Sequence, residues 1–366
     1  MSSSPQGGRP PGPPYPSPFA AIGRIPTNSV DTPISAVLLP FFMGSAAIHM
    51  TIFQVNRRRD HKFVFSALLF GFSMARITAL VMRIVWANRP TNANIAIAAS
   101  IFVAAGVLLL FLVNLIFAQR IVRSYHPKFG WNRIVSSIWK IVMFSVLGVL
   151  IMVIVCSVHS MFTLDVPTRL RERDVLRFAA VYLAVLAFLP IPIVVTAVLW
   201  PRGKEGKEEE EEEEGKRRIE KFGHGRMRAK VRLLLGTSFL LTLGAAFRAG
   251  VNFVPRPAGD PAWYHSRPAF YCFNFVIELV VVYSYAAARV DKRFHVPDGS
   301  HGPGSYAGMV NKEEDVFGSA EEGQEVKEKQ DSHEGGHGRP ISTTLVGSES
   351  GSVQRETIDD KAVPPV

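Results

Sequence analysis

Cysteine is nearly absent from this chain. Its two cysteines, Cys156 and Cys272, both fall inside long apolar runs, so the sequence excludes the extracellular disulfide bridge of many seven-helix receptors. We expect both thiols to behave as small buried apolar groups. The exposed segments also lack an Asn-x-Ser/Thr glycosylation sequon.

Recognisable catalytic motifs are absent too. The chain has no HExxH, no phosphate-binding loop and no GxSxG. The last apolar run contains no lysine, which excludes a retinal Schiff base there. His333 and His337, separated by glycines, make only a weak metal candidate. The sequence therefore predicts a protein that is not an enzyme and carries no cofactor and no metal.

What the chain has instead is seven runs of about 20 apolar residues, the length that crosses a bilayer core as a helix. Each run is apolar all round rather than on one stripe, as expected for helices that face lipid and other helices. The pattern predicts an all-α, seven-transmembrane-helix bundle. The predicted spans are Pro33–Val55, Phe63–Ala87, Asn94–Ala118, Ile134–His159, Leu176–Trp200, Val231–Val254 and Ala269–Ala288.

Lysine and arginine crowd into alternate links. They are abundant after the first, third, fifth and seventh spans and sparse in the other links. Because the richer side of a membrane protein is cytoplasmic, the sequence predicts an outside N-terminus and a cytoplasmic C-terminus. The net charge of +10 thus reflects topology rather than nucleic-acid binding. The plasma membrane is favoured over an internal one.

Three segments outside the spans have compositions that oppose folding. Residues 1–32 are rich in proline, and the loop 201–230 contains seven consecutive glutamates, Glu208–Glu214. Residues 295–366 are rich in Gly, Ser and Glu. We expect these three segments to be disordered around a membrane domain at 33–294. The loop and the tail are candidate contacts for a cytoplasmic protein, and basic clusters in the loop are candidate contacts for anionic headgroups.

Polar residues within the spans are the candidate functional site, since ionisable groups at membrane depth need partners. The candidate cluster consists of Arg76, Arg83, Arg248, Asn252, Asn274 and Glu278. Helical side chains lean toward their own N-terminus, which brings Arg248 down toward Glu278, with Arg76 at similar depth. We therefore expect Glu278 to pair with Arg248 or Arg76.

Two interpretations of this cluster stay open at the sequence level. The ions either hold the bundle together or line a polar cavity. Three arginines against one carboxylate leave positive charge that suits a phosphate or carboxylate ligand. Snorkelling of Arg83 to the interface would reduce that charge.

The last third carries three distinctive motifs: FRAG at Phe247–Gly250, FYCFNFVIE at Phe270–Glu278 and VDKRFHVPDG at Val290–Gly299. With these motifs, residues 30–305 resemble a family of fungal seven-span membrane proteins known mainly as a domain of unknown function. A more distant resemblance is to fungal lipid-translocating exporters of the aminocholesterol-resistance type. Those proteins place an acidic residue shortly after the FR motif, where this chain has Val251 and Asn252.

Two functions fit these observations. The first is a receptor-like sensor of a small or lipid-like ligand. The second is a carrier or exporter of lipids or amphiphiles that uses a polar cavity among spans two, six and seven. Many carriers are built from internal repeats, and none is visible in this chain, so the sequence slightly favours the sensor. A purely structural role is the third interpretation.

Overall fold

Seven helices of the computed structural model are long and apolar enough to cross a bilayer. This count covers the residues that the structure describes, which are 12–15, 19–59, 63–200, 220–297 and 299–306. No strand occurs among these residues beyond an isolated bridge between Phe19 and Pro257. The predicted all-α, seven-span fold is confirmed.

The spans follow one another along the chain, some of them built from more than one helical piece. The first four are α1 (Asp31–Arg58), α2 (Phe65–Asn88), α3 (Ala93–Tyr125) and α5 (Arg133–Phe162), with the short α4 (Pro127–Gly130) before the fourth. The fifth is α6 (Val166–Phe188) and α7 (Pro190–Leu199), and the sixth is α8 (Met227–Phe253). After a 3₁₀ turn at Trp263–His265, the seventh joins α9 (Arg267–Tyr271), a π-helical turn (Cys272–Val276) and α10 (Ile277–Ala287); α11 (Val290–Arg293) follows.

Asparagine or aspartate side chains cap the N-termini of three of the spans. The side-chain oxygen of Asn92 accepts from the backbone N–H of Asn94, and that of Asn132 accepts from Ile134 N–H, at 3.1 and 2.9 Å. Asp165 accepts from Thr168 N–H at 3.1 Å. Each cap satisfies a backbone donor that the first helical turn leaves unpaired. The Asp165 cap explains why α6 starts at Val166, ten residues before the predicted Leu176.

Proline acts differently in two spans. Pro190 lacks the N–H that would continue α6, and the helix ends at Phe188 and resumes at Pro190. Pro40 lies inside α1, which runs through it to Arg58. The fifth span is therefore interrupted at Leu189, and the first is continuous through its proline.

The third span is central and the fourth is peripheral. α3 packs against α2, α5, α7 and α8, whereas α5 buries only Trp139 and Val146 of its 30 residues. The apolar surface of α5 is what a helix facing lipid presents. The two ends of the bundle are called the Asp31 end, which holds the start of α1, and the Arg120 end, which holds the C-terminus of α3.

Parts of the segments that were expected to be disordered pack on the bundle. At the Asp31 end, Gly23 (φ +82°) lies against Phe270, whose ring atom would be 2.6 Å from a Cβ at that position. At the Arg120 end, Phe222 and Tyr306 are buried. The prediction of disorder is thus wrong for residues 19–32, 220–230 and 295–306 as far as they are described, because Gly23 packs against Phe270 and because Phe222 and Tyr306 are buried. The Glu208–Glu214 run and residues 307–366 lie outside the described residues.

The prediction for the cysteines is also wrong. Cys272 is exposed on the bundle and Cys156 is half-buried, and both are free thiols. Cys272 opens the π-helical turn, whose inward positions are taken by Asn274 and Phe275. Its side chain therefore points away from the protein core.

Candidate functional site

Glu278 and Arg76 form a buried ion pair in the middle of the bundle. Arg76 Nε donates to Glu278 Oε2 at 2.5 Å, and Arg76 Nη2 donates to Oε1 at 2.8 Å. The remaining nitrogen, Nη1, donates to the backbone carbonyl of Val103 at 2.8 Å. Both residues are at most 1% exposed. This bidentate pair ties the second span to the seventh and satisfies all three guanidinium nitrogens.

A second arginine reaches the same carboxylate less closely. Arg248 Nη1 lies 3.6 Å from Glu278 Oε1 and donates a hydrogen bond to Asn274 Oδ1 at 3.1 Å. Its side chain keeps 21% of its surface exposed. Arg76, Arg248, Asn274 and Glu278 are called the Glu278 cluster below. Arg248 is its accessible member.

The π-helical turn sets the position of Asn274. A π-helical turn takes an extra residue per turn and is found frequently at functional sites. Asn274 Nδ2 donates back to the carbonyl of Phe270 at 2.9 Å, which leaves Oδ1 free to receive Arg248. The neighbouring Phe273 stacks on Phe247 with ring centroids 4.0 Å apart. The FR pair of the sixth span therefore meets consecutive residues of the seventh.

Small and aromatic residues shape the space around Arg76. A Cβ on Gly106 of α3 would stand 3.1 Å from Arg76 Cζ, so glycine leaves room for the guanidinium. Arg76 also lies over the rings of Phe72 and Phe275, at 5.6 and 5.5 Å from their centroids. These cation–π contacts help to offset the cost of burying the charge.

Arg83 belongs to a different cluster at the Asp31 end. Its Nη2 donates to Asp31 Oδ1 at 2.8 Å and to the carbonyl of Gly23 at 2.6 Å. Arg267 Nε lies 2.8 Å from Asp31 Oδ2, and the Tyr271 hydroxyl donates to Oδ1 at 3.0 Å. Arg83 is 4% exposed and Asp31 is 0% exposed. The structure therefore separates Arg83 from Glu278, and Arg83 is buried against a carboxylate rather than snorkelling.

Asn252 also lies apart from the Glu278 cluster. Its backbone carbonyl accepts from Arg177 Nε at 3.1 Å, which links the sixth span to the fifth. The structure thus brings together four of the six candidate residues: Arg76, Arg248, Asn274 and Glu278.

Sequence reasoning missed Asp31, Gly23 and Gly106. Asp31 was assigned to the Pro-rich arm, although an acidic residue at the start of an apolar run is itself a signal for a helix N-terminus. Gly23 and Gly106 carry no chemical group, so only the positions of Phe270 and Arg76 reveal why glycine is needed. A second omission is the network in which Asn114 Nδ2 donates to Ser238 Oγ at 3.0 Å.

The described residues of the VDKRFHVPDG motif, 290–297 and 299, follow the seventh span. Arg289 holds both oxygens of Asp291 at 3.1 Å, and Asn56 of α1 donates to Oδ2 at 3.3 Å. Burial by itself would raise the pKa of Asp291, but these hydrogen bonds outweigh it and leave the pKa below its usual range. The charged carboxylate anchors the motif to the first span.

The Glu278 cluster carries a net charge of +1, from two guanidiniums and one carboxylate. Glu278 is committed to Arg76, whereas Arg248 makes one hydrogen bond and one longer ionic contact among the described residues. A guanidinium with unused donors binds an oxyanion. In the part of the chain that the structure describes, no group of three or more His, Cys, Asp or Glu side chains is placed to hold a metal.

Two family models match this chain, and both describe sequences without a known activity. The model "Domain of unknown function (DUF7702)" matches residues 33–214, and "Protein of unknown function (DUF3112)" matches residues 225–295. The second match contains the FRAG and FYCFNFVIE motifs, and the expected likeness to families of unknown function is confirmed. No curated protein and no solved structure matches the chain.

Proposed function

We propose that this multi-pass membrane protein is a receptor-like sensor, without enzymatic activity, of a small or lipid-like ligand that carries an anionic group. The observation that supports it is the position of Arg248. Its guanidinium is partly exposed and has unused donors, and it lies beside a fully paired arginine–carboxylate couple.

The surroundings of Glu278 favour sensing over passage. Phe42, Phe72 and Phe275 are 0% exposed, and the last two lie against the Arg76 guanidinium. A ligand therefore meets Arg248 first and stops there. When its oxyanion draws Arg248 away from Asn274 and Glu278, the π-helical turn loses one of the contacts that hold it. Occupancy is thereby coupled to the conformation of the seventh span.

A pair of single-chain amphiphiles that differ in headgroup charge tests this proposal. The purified protein is titrated with dodecyl phosphate or dodecyltrimethylammonium in a non-ionic detergent, and thermal unfolding is followed. We expect dodecyl phosphate alone to raise Tm. Arg248→Gln removes this shift and Arg248→Lys keeps part of it, because lysine retains the charge without the planar donor pair.

Arg256→Gln is the matched control, since Arg256 is an exposed arginine paired with Asp260 at the Asp31 end. The rise in Tm that dodecyl phosphate causes in Arg256→Gln should equal that in the unmodified protein. An equal shift in Arg248→Gln, or an equal response to both amphiphiles, would disprove the anion site at Arg248.

The second candidate function is a carrier of lipids or amphiphiles, and one observation favours it. The FR pair resembles that of fungal lipid-translocating exporters, and here Phe247 and Arg248 contact the aromatic start of the seventh span. Reconstituted vesicles with a fluorescent phospholipid in one leaflet distinguish the two functions. Protein-dependent, Arg248-dependent loss of leaflet asymmetry would establish the carrier, whereas ligand-induced stabilisation without lipid movement supports the sensor. The proposal takes the chain as a fungal plasma-membrane protein, which a fluorescent fusion would check.

A further inference from the structure

Three separate parts of the chain meet at the Arg120 end of the bundle. The backbone N–H of Glu220 donates to the Ser124 carbonyl at 3.2 Å, which joins the loop before α8 to the end of α3. His224 N–H donates to the Lys292 carbonyl at 3.0 Å, which joins the same loop to α11. Phe222 packs between the rings of Phe294 and Tyr306 at 6.2 and 5.5 Å.

A cavity of about 290 Å³ lies at this junction. Its wall combines α3, Phe63 just before α2, Trp131 after α4, and residues that follow α11. The polar and aromatic lining residues used in the argument are Gln119, Arg120, Arg123, Trp131 and Tyr306. The cavity is distinct from the Glu278 cluster, none of whose residues lines it.

Arg120 and Arg123 supply two positive charges to this cavity. They are three residues apart on α3 and therefore share a face. Arg120 donates to the carbonyl of Phe294, and Arg123 Nε donates to the carbonyl of Gly130 at 3.3 Å. Among the described residues neither guanidinium forms an ion pair with a carboxylate. Carbonyl oxygens carry only partial charge, so the repulsion between the two arginines remains largely uncompensated.

One carboxylate lies near the cavity without lining it. Glu220 Oε1 accepts from Gly304 N–H at 2.7 Å, and its single negative charge offsets at most one of the two guanidinium charges. Burial raises the pKa of Tyr306, and the neighbouring Arg123 and Arg120 offset part of that rise, so the phenol stays neutral at pH 7. Tyr306 can thus donate its hydroxyl proton to an acceptor in the cavity.

Aromatic rings hold both guanidiniums in place. Arg120 Cζ lies 4.6 Å from the centroid of Phe65, and Arg123 Cζ lies 4.1 Å from that of Trp131. Stacking of this kind fixes the guanidinium plane and lowers the entropy that binding would otherwise cost. The donors are therefore preorganised rather than mobile.

We infer that the cavity lined by Arg120 and Arg123 is a binding site for a phosphate monoester. A phosphate brings two negative charges and several acceptor oxygens, which match two guanidiniums, the Tyr306 hydroxyl and the Gln119 amide. The volume lies just below the range of roughly 300–1,000 Å³ usual for small-molecule pockets, which suits a headgroup-sized ligand.

Two sources supply this chemistry, an anionic lipid headgroup and a soluble phosphate ester. The experiment uses the full chain in non-ionic detergent at low salt. Binding is measured for dioctanoyl phosphatidate, for glycerol 3-phosphate and, as the net-neutral comparison, for dioctanoyl phosphatidylcholine. At least one of the two phosphate monoesters should bind, and raising the salt concentration should weaken that binding. Arg120→Gln/Arg123→Gln should weaken binding by about tenfold or more.

The control and a second variant keep the result interpretable. Arg57→Gln/Arg58→Gln removes two exposed basic residues of α1 outside the cavity and should leave binding unchanged. Gln119→Glu is nearly isosteric and places a carboxylate in the cavity wall. It should raise Tm without ligand and abolish phosphate binding, since it supplies the missing negative charge.

The charge count covers the described residues, and Asp298, next in sequence to the lining residues Pro297 and Gly299, lies outside them. The variant Asp298→Asn therefore belongs in the test. Binding of phosphatidate alone assigns the site to a lipid, and binding of glycerol phosphate alone assigns it to a soluble ester. The inference is overturned if neither binds, if the double arginine variant binds normally, if Gln119→Glu keeps the affinity, or if binding appears only in Asp298→Asn.

Discussion

The arginines in the middle of the bundle and those at its Arg120 end are compensated in opposite ways. In the middle, Arg76 is paired bidentately with Glu278 and lies over the rings of Phe72 and Phe275. At the Arg120 end, Arg120 and Arg123 are held by aromatic rings and carbonyl oxygens but by no carboxylate of the described residues. The first arrangement is complete within the protein, whereas the second calls for an external anion.

This difference follows from the surroundings of each site. At membrane depth an unpaired guanidinium costs several kcal/mol, so an arginine is tolerated there only with an internal partner. Near the end of a span, water and headgroups are within reach, and an excess of positive charge is tolerated and can serve binding. Arg248 lies between these extremes, with one contact to Glu278 and part of its surface exposed.

Glu278→Gln is expected to have the largest effect on stability, because it removes the negative charge that compensates Arg76. Leaving Arg76 without its carboxylate should cost about 3–5 kcal/mol of unfolding free energy. The measurement is unfolding of the purified protein, with Asp260→Asn as control, since that exposed pair should contribute less than about 0.5 kcal/mol. In Arg76→Gln/Glu278→Gln the two losses should not add. Additive losses would mean that the pair is not coupled.

Truncation of the tail at two positions sharpens the comparison at the Arg120 end. Deletion of residues 299–366 removes the buried Tyr306 and should cost about 2–4 kcal/mol, as expected for the loss of a large core side chain. Deletion of residues 307–366 keeps Tyr306 and should leave stability within about 0.5 kcal/mol. Thermal unfolding of both truncated chains is the test. Equal Tm values would show that Tyr306 does not stabilise this end.

Gly106→Ala tests how tightly the middle site is closed. The new methyl group would stand 3.1 Å from Arg76 Cζ, and Glu278 and Val103 prevent the guanidinium from moving away, so we expect a loss of about 1–2 kcal/mol. Gly148→Ala is the matched control, because a Cβ on this helical glycine of α5 meets nothing within 4 Å. It should stabilise the protein by up to about 1 kcal/mol through helix propensity. Equal changes in Tm for the two variants would show that the space around Arg76 accommodates the added methyl group.

Much of the architecture was predictable because length and hydropathy act locally. Seven apolar runs are enough to predict seven spans, and lipid leaves helices as the only spanning form for such runs. Helix ends were less predictable: α6 starts ten residues early because Asp165 caps it, and capping outweighs the polarity of the first turns. The orientation of the protein in the membrane, with its N-terminus outside, stays a prediction.

The candidate site was predictable only in part. The depth of each residue in its span, and the direction in which helical side chains tilt, predicted that Glu278 lies near Arg76 and Arg248. Both quantities can be read from position along a helix. The same reasoning wrongly grouped Arg83 with them. Its actual partner is Asp31, which lies in a segment expected to be disordered. The cavity at Arg120 was not predictable, since its lining joins α3, Phe63, Trp131 and the segment after α11.

By itself the sequence determined that this chain is a helical membrane protein with costly charges inside it, since hydrophobicity and charge are properties of each residue. Only the tertiary structure decided which charges are compensated. Compensation depends on short distances between residues that lie far apart along the chain, such as 2.5 Å between Arg76 and Glu278 and 2.8 Å between Arg83 and Asp31. Such distances are set by packing, as at Gly106 and the π-helical turn, and not by spacing in the sequence.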